Sequence, residues 1–106
     1  MQSHFSVEAQ NEGQECVVSV SGELDLAAAS SLEAELDRIL ESDVTRIVLN
    51  LAELEFIDST GLSVLVRAQQ RAQESGRELG LVNPGQQVER LLSLTGLSER
   101  LTLSDT

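Results

Sequence analysis

A chain of 106 residues with 41% hydrophobic content has the length of one domain, enough to bury roughly 65% of its unfolded surface, and is too apolar for disorder. Its two aromatics, Phe5 and Phe56, make the core aliphatic and deny single-stranded nucleic acid a stacking platform. A formal net charge of −11, with no lysine in the chain, repels nucleic acid and anionic membrane surfaces alike.

The charge is unevenly spread. Residues 1–58 hold 13 of the acids against two arginines, whereas residues 59–106 hold five of each. That asymmetry points to a partner with a basic contact face. Cys16 is the one cysteine and lies in the apolar run "CVVSV", so it reads as a buried, inert thiol rather than a redox sensor. The N-terminus lacks the apolar core of a signal peptide, and no apolar run reaches the roughly 18 residues of a membrane span. A soluble, cytoplasmic protein with a single domain over residues 1–106 is expected.

Along the chain, "HFSVEA" alternates as a first strand, "NEGQ" at 11–14 is a turn, and "ECVVSVSG" is a β-branched second strand closed by Gly22. From Leu26 the period changes. Ala29, Leu32, Leu36, Ile39 and Leu40 recur at three- and four-residue spacing on one helical face, with Glu33, Asp37 and Glu41 opposite. "TRIVLNL" comes next, and its unbroken Ile47-Val48-Leu49 fits a central strand covered on both faces.

A second helix carries the stripe Leu62, Leu65, Ala68 and Ala72, with Gly76 as its left-handed stop. "RELGLVN" is a fourth strand. In "NPGQQVERLLSLTG", Asn83 is placed as N-cap and Pro84 at the first helical position. Val88, Leu91, Leu92 and Thr95 form that helix's inner face, Gly96 ends it, and "RLTLS" is a short last strand. The order β-β-α-β-α-β-α-β predicts an α/β domain: a mixed, mostly parallel sheet, helices after strands 2, 3 and 4, and the first strand antiparallel through the turn.

Between two core-bound segments stands Asp58-Ser59-Thr60-Gly61. Three readings are open. As a helix cap, Asp58 or Ser59 accepts a bond from an orphan N–H two or three residues on, yet this does not explain a glycine that costs about 1 kcal/mol inside a helix. Something must approach the backbone there. As a hydrolytic site it is poorly equipped: position 57, two before Ser59, is Ile where a serine-hydrolase elbow needs glycine, and the only histidine is His4. No phosphate loop with lysine and no metal-ligand spacing accompany it. As a modification site it is well placed, because a phosphate at the first turn would meet free N–H groups and the positive end of the helix dipole. Asp25, itself a cap or first-turn acid, would lie on the same sheet edge and flank Ser59 together with Asp58.

"VSGELD", "IVLNLAELEFIDSTGLSVL" and "NPGQQVERLLSLTGL" together resemble the anti-sigma factor antagonists of the bacterial STAS-domain family, over nearly the whole chain. The resemblance implies a STAS fold and a non-enzymatic regulator of transcription in stress response or sporulation. It implies that Ser59 is phosphorylated by a partner anti-sigma factor that is itself a serine-protein kinase. It further implies that Asp25, Asp58, Thr60, Gly61 and Leu62 contact that partner. The unphosphorylated form would bind the anti-sigma factor and free the sigma factor, phosphorylation would switch binding off, and a serine phosphatase would reset it. No cofactor or metal is implied for this domain, since nucleotide belongs to the kinase. The alternative is a STAS-type interaction subunit of a stress-signalling scaffold or lipid-transport complex without a Ser59 switch.

Overall fold

The structure, a computed structural model, describes residues 5–94 and 102–103, with backbone alone at Leu94, Thr102 and Leu103. Eight elements run in the expected order: β1 (Phe5–Glu12), β2 (Glu15–Leu24), α1 (Leu26–Leu40), β3 (Arg46–Ile57), α2 (Ser59–Glu74), β4 (Glu78–Val82), α3 (Gln86–Leu94) and β5 (Thr102–Leu103). They build one five-stranded sheet in the order β1-β2-β3-β4-β5. β1 is antiparallel to β2 through the 11–14 turn, and the remaining pairs are parallel. The mixed, mostly parallel sheet is therefore as the pattern predicts. Thr95 and Gly96 lie outside the described residues, as does His4.

Aliphatic side chains and the Cys16 thiol make the buried core. Cys16, Val18 and Val20 alternate inward from β2, and Leu32, Leu36 and Ile39 of α1 meet Leu65, Ala68 and Ala72 of α2 in the same buried cluster. In β3 all of Ile47, Val48 and Leu49 are buried, as a central strand requires. Gly76 takes φ 75°, and the amides of Gly76 and Arg77 return to the carbonyls of Gln73 and Ala72, so α2 ends in a Schellman turn. Among the described residues no helix is long and apolar enough to cross a membrane.

Three local expectations are corrected. Glu33 and Asp37 do not face away from the core. They lie on the flank of α1 beside α2, where Glu33 pairs with Arg67 at 2.9 Å and Asp37 with Arg71. Asn83 is not a cap and Pro84 is not helical, because α3 begins only at Gln86. Asn83 instead ends β4 with φ 57°, its Nδ2 donates to Asn50 Oδ1, and the Gly85 carbonyl accepts the first helical bond from Glu89. Finally, β2 is not closed by Gly22 but runs to Leu24.

That extension fixes where β2 ends against β3. β3 slips register twice against β2, between Ser19 and Ser21 and again between Gly22 and Glu23, each time with one extra residue on β3. In consequence Leu51, Leu54 and Ile57 are buried at a spacing of three rather than two. The two strands finish level, with Leu24 opposite Ile57 and the Asp58 amide donating to the Leu24 carbonyl at 3.2 Å.

The first turn of α2 presses against this junction. A Cβ on Gly61 would sit 2.6 Å from both Cγ and the carbonyl oxygen of Leu24, and 3.1 Å from Ile57 Cγ1. Here is the close approach that the glycine implied. Gly61→Ala is expected to lose stability by about 1–3 kcal/mol through overpacking, outweighing the roughly 1 kcal/mol that alanine gains in a helix. The urea midpoint, with unchanged slope, reads this out; a midpoint at or above wild type would contradict it.

Cys16 is fully buried, and burial pushes its thiol pKa up, opposed in part by Arg38. Iodoacetamide at mildly alkaline pH should therefore leave the native protein unmodified and label it fully in denaturant. Labelling at equal rates in both states would show the thiol to be accessible.

Candidate functional site

Two helices start side by side at the ends of β2 and β3. Each of the level residues Leu24 and Ile57 is succeeded by an aspartate in extended backbone, Asp25 at φ −108°, ψ −169° and Asp58 at φ −105°, ψ −175°. Asp25 Oδ1 accepts from the Ala28 amide at 3.0 Å, and Asp58 Oδ1 accepts from the Gly61 amide at 2.9 Å. Their own carbonyls take the first helical bonds, from Ala29 at 2.8 Å and Leu62 at 2.9 Å. Both aspartates are thus N-caps, and their charges sit where two helix dipoles point their positive ends. The juxtaposition of Asp25 and Asp58 on one sheet edge, read from the sequence, is what the register produces.

Because Asp58 performs the capping, Ser59 does not. It occupies the first helical position and is exposed, and its hydroxyl makes no hydrogen bond among the described residues. Its carbonyl is tied inside the helix by Ser63 Oγ at 3.0 Å. The amides ahead of Gly61 have no carbonyl partner within the helix, as at every helix start. An anion on Ser59 Oγ would therefore meet donors that the fold leaves over.

The remaining residues of the segment divide. Thr60 is half-buried beside Ser59, whereas Gly61 and Leu62 turn inward and belong to the core contact with Leu24 and Ile57. The last two shape the edge more than they cover it. Among the described residues no set of three or more His, Cys, Asp or Glu side chains is grouped to hold a metal ion. None supplies Ser59 with a hydrogen-bonded base.

Sequence reasoning missed two neighbours. Leu26, the first residue of α1, is 70% exposed, and Phe56, two residues before Asp58, is 47% exposed. The apolar approach to Asp58 predicts Phe56 in the core with Ile57. The second register slip of β3 turns it outward, opposite Glu23. The three-residue spacing of Leu51, Leu54 and Ile57 was the available signal, but it is legible only once the bulges are known.

The STAS domain family model matches residues 6–106. The anti-sigma-F factor antagonist RsfB of Mycobacterium tuberculosis is 31% identical over 90 residues, 85% of this chain and 73% of that protein. An anti-sigma F factor antagonist of Paenibacillus polymyxa is 27% identical over 103 residues, 96% of this chain and 88% of that protein. Among solved structures, an anti-sigma factor antagonist from Mycobacterium paratuberculosis superposes with a TM-score of 0.87 at 28% identity, covering 97% of this chain and 87% of that one. The chain belongs to the STAS domain family and, with these relatives, stands among binding proteins rather than enzymes.

Proposed function

We propose that the protein is an anti-sigma factor antagonist whose partner binding is switched by phosphorylation of Ser59. The single observation that carries this reading is the division of labour at the α2 start: Asp58 holds the cap and leaves the Ser59 hydroxyl exposed and unengaged. The antagonist names of the relatives support the partner class.

In the unphosphorylated state the edge formed by Asp25, Asp58, Ser59 and Thr60 binds a kinase-type anti-sigma factor and so frees the sigma factor. Gly61 and Leu62 act from beneath by fixing the height and tilt of the first turn. The partner's kinase centre transfers the γ-phosphoryl of ATP to Ser59 Oγ, and the hydroxyl proton leaves to a base on the partner. The product carries roughly −1.5 to −2 extra charge and three acceptor oxygens at one point on the edge. It meets the leftover amides of α2, so the domain stays folded while the partner lets go. A serine phosphatase restores the hydroxyl.

Mixing the purified protein with a kinase-type anti-sigma factor of the same genome and ATP should add one phosphate by intact mass, and Ser59→Ala should abolish it. Stable association without any modification would instead favour an interaction subunit with no switch. Ser59→Asp should weaken partner binding by about 1.4 kcal/mol or more, a factor of ten. Since the cap is untouched, its folding stability should stay within about 0.5 kcal/mol of wild type. A large loss of stability would show Ser59 to be structural.

Asp58 separates in the same manner. Asp58→Ala should cost about 0.5–2 kcal/mol of stability by removing the cap, whereas Asp58→Asn should keep it. The asparagine variant therefore isolates the carboxylate's charge, and weaker partner binding with an unchanged urea midpoint is the outcome expected of it.

A further inference from the structure

The capped edge carries two groups for which the fold has no use. Leu26 and Phe56 are the large apolar side chains that stand exposed among the described residues, and both lie at this edge. Leu26 begins α1 as Ser59 begins α2, and Phe56 pairs with Glu23 one step before the level pair Leu24 and Ile57. From that pair, whose strands are about 5 Å apart, Leu26 and Ser59 are each two residues away, at most about 7 Å of chain. A standard protein interface covers about 800 Å² per partner, a disc of about 16 Å radius. A footprint of that size centred on the Leu24 and Ile57 pair takes in Ser59 and both apolar residues.

The rim is acidic and unneutralised. Glu23, Asp25, Glu53, Glu55 and Asp58 form no ion pair among the described residues. The ion pairs that do form engage Glu35, Glu15, Glu33 and Asp37, away from this edge. A second copy of the chain would press five more unpaired carboxylates against these five, which argues against self-association. A surface with an apolar socket ringed by arginine or lysine fits both features.

We infer that Leu26 and Phe56 are the apolar anchors that seat the Ser59 edge in a basic-rimmed socket on its protein partner. The inference rests on the reading of Ser59 as a switch at a protein interface, and it accounts for the sign of that switch. A basic rim alone would attract a phosphate. Beside two apolar anchors, however, the dianion must shed its water against Leu26, Phe56 and the socket wall, and modification placed in an apolar contact disrupts it through desolvation. Charge then serves approach, and the anchors serve residence.

The test uses a purified kinase-type anti-sigma factor of the same genome as probe. Dissociation constants are measured for wild type, Leu26→Ser, Phe56→Ser, the double variant, and Glu23→Gln with Glu55→Gln, alongside each urea midpoint. Both side chains being exposed, the midpoints should hold, while each apolar variant binds about tenfold more weakly and the double variant weaker still. The glutamine pair should flatten the salt dependence of binding. If the double variant binds within about twofold of wild type while Ser59→Asp still releases the partner, the anchors are overturned and the switch stands. If wild type is neither bound nor phosphorylated, both fall. A wild-type dimer in the ultracentrifuge that the double variant dissociates would assign the patch to self-association and overturn the inference as well.

Discussion

The backbone of Gly61 lies against the carbonyl and side chain of Leu24, and the geometry of the whole edge depends on that contact. It sets how near α2 can come to the end of β2. With the Asp58 amide bonded to the Leu24 carbonyl, it makes two successive β-to-α junctions end at one level. Any side chain at position 61 would lift the first turn away and carry Ser59 with it. The glycine that capping leaves unexplained is therefore the residue that positions its neighbours.

The rest of the edge is a consequence of this constraint. Level strand ends place Asp25 and Asp58 side by side, each satisfying an orphan amide of its own helix. With both caps supplied by carboxylates, the first helical positions are released from structural duty. One is filled by a serine and the other by a leucine, and both stand in solvent. A hydroxyl and an apolar side chain thus occupy equivalent places on two equivalent junctions.

Much of this was readable because its causes are local. The stripe of α2, the left-handed stop at Gly76 and the presence of a cap at Asp58 or Ser59 depend on residues within four or five positions, and the 11–14 turn needs only its own four residues. What escaped the sequence depends on pairing across the sheet. The two extra residues of β3 are defined only relative to β2, so the outward turn of Phe56 and the burial of Leu51, Leu54 and Ile57 at threefold spacing could not be read from β3 by itself. The start of α3 failed for a related reason. Asparagine and proline in sequence promise a cap, but Asn83 is drawn into a left-handed turn beside Asn50 of β3. Glu33 and Asp37 looked solvent-facing because the arginines of α2 that meet them are some 34 positions away in the chain.

Strand β1 closes one side of the sheet with a backbone edge that no other strand of the described residues covers. An open edge of eight residues is a template for stacking chains into fibrils. Its solvent-facing positions hold Ser6, Glu8 and Gln10, and Glu12 sits where it turns. Like carboxylates brought into register by a second molecule would repel at every such pairing. The acidity proposed to draw a basic partner therefore also guards the domain against aggregation at this edge strand.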